Sequence, residues 1–232
     1  MKFAIIAAGE GSRLREEGIN VPKPLVKVNG EHLLDRLVRI FVQCGAEQVV
    51  LIVNQERPET IWFAEQLEER WHVPVQLIIK STPSSMHSFY ELSKYLYGKF
   101  CLTTVDTIFK EEEFKTFISV FEKSDKDGMM AVTDFIDDEK PLYISTADDL
   151  TITGFHDNPS NDCKYISGGV YCLSDKAITT LNDCMEKGLS RMRNFQRALV
   201  TDGLHLEAYP FSKILDIDHA TDIEKAESFL AQ

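Results

Sequence analysis

The stretch Phe3-Ala-Ile-Ile-Ala-Ala-Gly-Glu-Gly-Ser-Arg-Leu-Arg15, followed by Pro22-Lys-Pro-Leu25, decides how the rest of the chain is read. Phe3 to Ala8 is an apolar run as long as one strand buried on both faces. It breaks at Gly9 and Gly11, a turn with no side chains to hold a ligand away from the backbone amides. Arg13, Arg15 and Lys23 set cations around that bare backbone, with Lys23 locked between two prolines. The combination predicts a cradle for a polyanion. It is not a full dinucleotide fingerprint, because Leu14 stands where G-x-G-x-x-G has its last glycine, and it lacks the Gly-Lys-Ser/Thr of a P-loop.

Working outward, the 232 residues suffice for one large α/β domain, and 44% hydrophobic residues supply its core. The balance of 25 basic against 37 acidic residues, a net charge of −12, argues against nucleic-acid or anionic-membrane partners, since no basic face is available. No apolar stretch reaches the roughly 18 residues that span a bilayer, and the N-terminal apolar run is too short for a secretory signal. Five cysteines without a Cys-x-x-Cys pair predict a reducing cytoplasm and structural thiols. Six dispersed histidines predict no zinc site. The sequence leaves homo-oligomerisation open.

Apolar periodicity predicts a helix over 31–44 closed by Gly45, a strand over 48–53, a helix over 57–71 entered through Pro58, and a strand over 73–79. A helix over 84–96, with Ser84 or Ser85 as its cap, leads to a fourth strand over 100–105. This alternation predicts a mostly parallel central sheet with helices on both faces, a Rossmann-like α/β fold. The second half is β-rich, with short runs at 129–135, 142–145, 151–155, 165–172 and 204–209. Helices return at 175–187, 192–200 and 220–230. A single domain over 1–232 is expected, its first half to about residue 110 binding one ligand and the remainder closing on another.

Asp106 ends the fourth predicted strand, on the same sheet edge as the glycine loop. It either caps the next helix or holds a hard cation. In Asp216-Ile-Asp-His-Ala-Thr-Asp222, alternation puts Asp216 and Asp218 on one face, and Asp222 falls in the first turn of the last helix. These carboxylates are either a surface pair or part of the same cation site. Gly168 and Gly169, inside the strand Tyr165-Ile-Ser-Gly-Gly-Val-Tyr171, permit a bulge or the close approach of a ligand.

Ala7-Ala-Gly-Glu-Gly-Ser-Arg-Leu14 followed by Pro22-Lys-Pro-Leu25 resembles the signature of the nucleotidyltransferases that make nucleotide-sugars and related activated alcohols. The resemblance extends through weaker markers over most of the chain. It implies an enzyme that passes a nucleotidyl group from a nucleoside triphosphate (NTP) to a small phosphorylated acceptor, a sugar-1-phosphate or a phospho-alcohol, and releases pyrophosphate. It implies Ala7, Ala8, Gly9, Gly11 and Ser12 around the triphosphate and Arg13 and Lys23 as the cations neutralising it. Asp106 with Asp218, and Asp216 as second choice, would hold Mg²⁺. Ser84 and Ser85 stand where the family contacts the base, or else cap the helix. Gly168 and Gly169 stand where it lines the acceptor pocket.

One family feature is missing. Asn158, in His156-Asp-Asn-Pro159, stands where the family often has a lysine on the acceptor phosphate. Lys164, Arg191, Arg193 and Arg197 are the candidate replacements, unless the arginines are only a solvated helix face. Two rival functions remain at this point: a nucleotide-sugar-dependent glycosyltransferase, and a regulatory protein that binds nucleotide or sugar phosphate without turnover. The first wants Asp-x-Asp after the fourth strand, which Asp106-Thr-Ile108 does not supply.

Overall fold

The computed structural model describes all residues except Asp138 and Asn161. Nine strands form one sheet: β1 (Lys2–Ala7), β2 (Gln48–Val53), β3 (Val75–Ile79), β4 (Lys99–Thr104), β5 (Gly128–Thr133), β6 (Tyr143–Thr146), β7 (Ile152–His156), β8 (Cys163–Ser174) and β9 (Leu206–Pro210). β3, β2, β1 and β4 lie side by side in that order and all run parallel. The chain therefore winds outward from β1 to β3 and then crosses to the other side of β1 to make β4. That reversal opens a crevice beyond the carboxyl ends of β1 and β4, where a doubly wound sheet binds its ligand.

The alternation within β1 builds a core on each face. Phe3, Ile5 and Ala7 belong to one apolar cluster, shared with helices α2 (Leu33–Gln43), α6 (Glu111–Lys123) and α9 (Ala220–Leu230). Ala4 and Ile6 belong to the other, shared with α5 (Ser85–Ser93), α7 (Lys176–Glu186) and α8 (Met192–Thr201). The first cluster is aromatic: Phe3 stacks on Phe41 and Phe109 on Phe114, each with ring centroids 4.6 Å apart. Such pairs add about 0.5–1.5 kcal/mol beyond their buried area.

Several sequence expectations need correction. α6 is absent from the sequence reading, although Phe114, Phe117, Ile118 and Phe121 carry the 3.6-residue period of a helix buried on one side. The helix expected over 57–71 is two short ones, α3 (Pro58–Ala64) and α4 (Leu67–Trp71), and each buries its own apolar residues. Glu31 and His32 pair with Lys27–Val28 in a small ribbon instead of opening α2. The remaining short helix, α1 (Ser12–Glu16), follows the glycine loop. No described helix is long and apolar enough to cross a membrane.

The second half grows from β8, which pairs antiparallel with β4, β5 and β6. This long strand ties the two halves into one sheet. A second ribbon, Thr107–Ile108 against Leu215–Asp216, matters more for the site. It carries the segment before α9 back to the end of β4.

Candidate active site

The glycine loop closes on the Pro22–Leu25 segment. Gly11 adopts φ +61°, and a Cβ there would lie 3.3 Å from Lys23 Cβ, so only glycine lets the two loops touch without strain. Gly9 has open space around it. Lys23 begins a single 3-10 turn, Lys23–Leu25, in which Pro24 is buried, and this fixes the direction of the lysine stem.

The Lys23 side chain reaches the switch point. Its Nζ lies 2.7 Å from Asp106 Oδ2 and 2.7 Å from Asp218 Oδ1. Arg13 Nη1 donates to Asp218 Oδ2 at 2.9 Å. Asp218 arrives through the second ribbon, where Ile217 N donates to the Asp106 carbonyl at 3.1 Å. Ile217 is buried, so its neighbours Asp216 and Asp218 turn together toward the cleft, as alternation predicts. Four residues singled out from the sequence, Arg13, Lys23, Asp106 and Asp218, thus meet in one cluster.

The electrostatics of the cluster are tight. Burial works against the Lys23 ammonium, but Asp106 and Asp218 outweigh it and hold its pKa above the usual lysine range. The Asp216 carboxyl is pushed well up from the carboxylate range, by enclosure at the base of the cleft and by the charges of Asp106 and Asp218. Its side chain still presents exposed surface to the cleft, so like-charge crowding is the more durable of the two causes. Among the described residues no three His, Cys, Asp or Glu side chains converge as a finished metal cage. Asp106 and Asp218 nevertheless share one cation at 2.7 Å each, and their hard oxygens suit a divalent ion.

Asp222 takes the helical role expected of it. Its carboxylate accepts from the backbone of His219 at 2.8 Å and of Asp218 at 3.1 Å, which fixes the turn that presents Asp218. Glu17, just after α1, accepts from Ala220 N at 2.7 Å and pairs with the His219 ring. The end of α1 and the start of α9 are thereby held together.

Along the sheet edge, a polar chain absent from the sequence reading runs from the glycine loop to the Ser84 loop. Buried Asn54, one residue past β2, donates to the Ala8 carbonyl at 3.3 Å and accepts from Ser81 Oγ at 2.8 Å. An asparagine directly after a strand that ends on this edge was the available signal. Ser84 occupies the N-cap position of α5, but its hydroxyl bonds the His87 ring at 2.8 Å and makes no cap bond to the helix backbone. Ser85 is the first residue of the helix.

A recess beside the cluster is lined by Arg13, Phe135, Ser167, Gly168, Asp216, Asp218 and Lys225, among others. The register of β8 against β5 slips between Ser167 and Tyr171, so the two glycines do make a bulge. Gly169 has φ +72° and faces the Thr104 and Thr107 hydroxyls. A Cβ at Gly168 would fall 2.2 Å from Ile214 Cδ1 and 3.1 Å from the Ala131 carbonyl. Gly168→Ala is therefore expected to destabilise the fold by about 1–3 kcal/mol, as overpacking does. Adding Ile214→Val, which deletes the struck methyl, should restore part of it. Thermal melting of the three variants checks this, and an unchanged Tm in Gly168→Ala would refute the packing argument.

The four cations offered as replacements for the missing lysine do not gather in this recess. Asp157 holds Arg193 and Arg197 at 2.5 and 2.7 Å, so both are already engaged by the residue next to Asn158, with one positive charge left over between them. Arg191 sits at the start of α8, its backbone N–H 3.4 Å from Ser84 Oγ, on the Ser84 side of the molecule. Lys164 is exposed, with its ammonium 5.2 Å from the Tyr165 ring centroid. Among the described residues, the lysine and arginine side chains lining the recess are Arg13 and Lys225, and Lys225 pairs with Asp137 at 2.7 Å. Lys225 escaped notice because nothing local distinguishes it from any other lysine on an exposed helix face.

The comparisons agree with this geometry. The family described as Nucleotidyl transferase matches residues 2–232. A mannose-1-phosphate guanyltransferase of Hypocrea jecorina is 28% identical over 138 residues, which is 57% of this chain and 37% of that protein. A choline-phosphate cytidylyltransferase of Streptococcus pneumoniae is 30% identical over 92 residues, 40% of this chain and 38% of that one. The matched stretches thus span well under half the length of these curated relatives. Among solved structures, the inositol-1-phosphate CTP transferase from T. maritima superposes with a TM-score of 0.81 at 20% identity, covering 100% of this chain and 96% of that one. With its family match running almost end to end, the chain belongs to the Nucleotidyl transferase family.

Proposed function

We propose that the protein transfers a nucleotidyl group from an NTP to a sugar-1-phosphate or phospho-alcohol and releases pyrophosphate. The observation that carries this reading is the meeting of Lys23 and Arg13 with Asp106 and Asp218 at the switch point of the sheet. A phosphate oxygen of the acceptor attacks the α-phosphorus in line. The new P–O bond forms as the bond to the β-phosphate bridging oxygen breaks, and its electron pair leaves with pyrophosphate. Such chemistry asks the protein for alignment and charge neutralisation more than for a covalent nucleophile.

The residues divide this work. Ala8, Gly9, Gly11 and Ser12 offer a side-chain-poor loop to the triphosphate, and Asn54 fixes the loop's entry. Lys23, kept charged by its two carboxylates, and half-exposed Arg13 supply positive charge where negative charge accumulates. Ser84 and Ser85 lie at the far end of the hydrogen-bonded edge, in reach of a base. Gly168, Gly169 and the recess beside them take the acceptor, and Arg13 and Lys225 meet its phosphate by sharing their charge between it and their carboxylate partners Asp218 and Asp137. Asp106 and Asp218, with Asp216 next to them, are the residues for Mg²⁺, which when bound supplies Lewis-acid neutralisation of phosphate oxygens.

The test is a grid of the four NTPs against mannose-1-phosphate, inositol-1-phosphate and phosphocholine, read as pyrophosphate release with MgCl₂. One strongly preferred pair is expected, with loss of release in EDTA. No release from any pair would overturn the reading, and full release in EDTA would remove the metal from it.

A further inference from the structure

Ser167 is the residue before the glycine bulge, and its side chain lines the recess. Its Oγ accepts a hydrogen bond from Gln196 Nε2 at 2.9 Å. Gln196 projects from α8 and is 1% exposed. Burying an amide is costly unless its hydrogen bonds are made, and this one is spent on a hydroxyl facing the cleft. Tyr171, on the far side of the bulge, is buried.

A serine hydroxyl has two lone pairs and one hydrogen. The Gln196 amide fills one lone pair. Because Gln196 gives its hydrogen to Ser167 Oγ, the Ser167 hydrogen can be given in turn to a ligand oxygen in the recess. The bulge begins just after Ser167, which still pairs with Val132, while Ile214 and Ala131 crowd the glycine that follows.

We propose that Ser167 Oγ donates a hydrogen bond to an oxygen of the bound acceptor, and that Gln196 is the positioning residue that orients it. This rests on the reading of the recess as the acceptor site. The experiment takes the NTP and acceptor pair that wild-type protein uses best and measures both KM values for Ser167→Ala, Ser167→Thr, Gln196→Met and the Ser167→Ala/Gln196→Met double variant. Loss of a hydrogen bond to a charged or polar oxygen should raise the acceptor KM about tenfold in Ser167→Ala, leaving the NTP KM nearly unchanged, with a modest fall in Tm because the Gln196 amide loses its partner. Ser167→Thr, which keeps the hydroxyl, should stay close to wild type. Gln196→Met should raise the acceptor KM several-fold alone and add nothing in the Ser167→Ala background, the mark of two residues acting through one contact.

An unchanged acceptor KM in Ser167→Ala overturns the proposal, and fully additive effects in the double variant overturn the role of Gln196. If Gln196→Met does not fold, Ser167→Ala and Ser167→Thr decide the proposal between them. Wild-type protein that releases no pyrophosphate with any pair refutes the functional reading itself, a result distinct from active protein indifferent to Ser167.

Discussion

Lys23→Ala is expected to lower kcat/KM by about 10²-fold or more, the loss that accompanies removal of a main charge contact in a transition state. The structure shows why this lysine should outweigh Arg13. Its side chain is 12% exposed and touches two carboxylates, whereas that of Arg13 is 47% exposed and closely pairs with one. Removing the ammonium also leaves Asp106, Asp216 and Asp218 facing one another with Arg13, on Asp218, left to offset them. A lower Tm should therefore accompany the lost activity. Arg13→Ala should lose less Tm for a comparable loss of turnover. Steady-state kinetics with thermal melts on both variants check this, and near-wild-type turnover in Lys23→Ala would remove the loop from the mechanism.

Asp106→Asn is expected to abolish turnover while leaving the fold as stable as wild type or more so. The substitution keeps shape and the ability to accept a hydrogen bond, but it removes the negative charge that a hard cation needs. It also relieves the crowding that raises the Asp216 carboxyl, so stability and activity should move in opposite directions, as at other strained functional sites. Asp218→Asn should behave similarly, with an added loss because Arg13 gives up its partner. Asp216→Asn should be milder. The measurement is pyrophosphate release against Tm for all three, and an Asp106→Asn variant with substantial turnover would exclude that carboxylate from the chemistry.

The parts legible in the sequence are those encoded locally. The opening strand, the glycine loop and Pro22-Lys-Pro-Leu25 each arise from neighbouring residues, and the β/α alternation arises from apolar period. Asp106 and Asp218 are legible as candidates because each sits at the end of a strand-like run. What escapes depends on contacts between distant segments. The occupation of Arg193 and Arg197 by Asp157 needs β7 and α8 to be packed together. Asn54 gains its meaning only when β1, β2 and β3 end on one edge. Gln196 looks like an ordinary polar position of an amphipathic helix until the bulge in β8 brings Ser167 to it. α6 is a different case, since its period is present in the sequence and is easily passed over beside the acidic run Glu111 to Glu113.

The ribbon that brings residues 215 and 216 back to the end of β4 has a consequence for how the protein is made. Asp218 is separated from Asp106 by more than a hundred positions, and its seat is built by α9, whose Ala226 and Phe229 are buried in the first core. A ribosome that has translated just past the end of β4 has therefore made three of the cluster's four residues, and lacks Asp218. Lys23 waits beside Asp106 alone until α9 clears the exit tunnel and docks. On the proposed chemistry, such a nascent chain stays silent until those turns are in place.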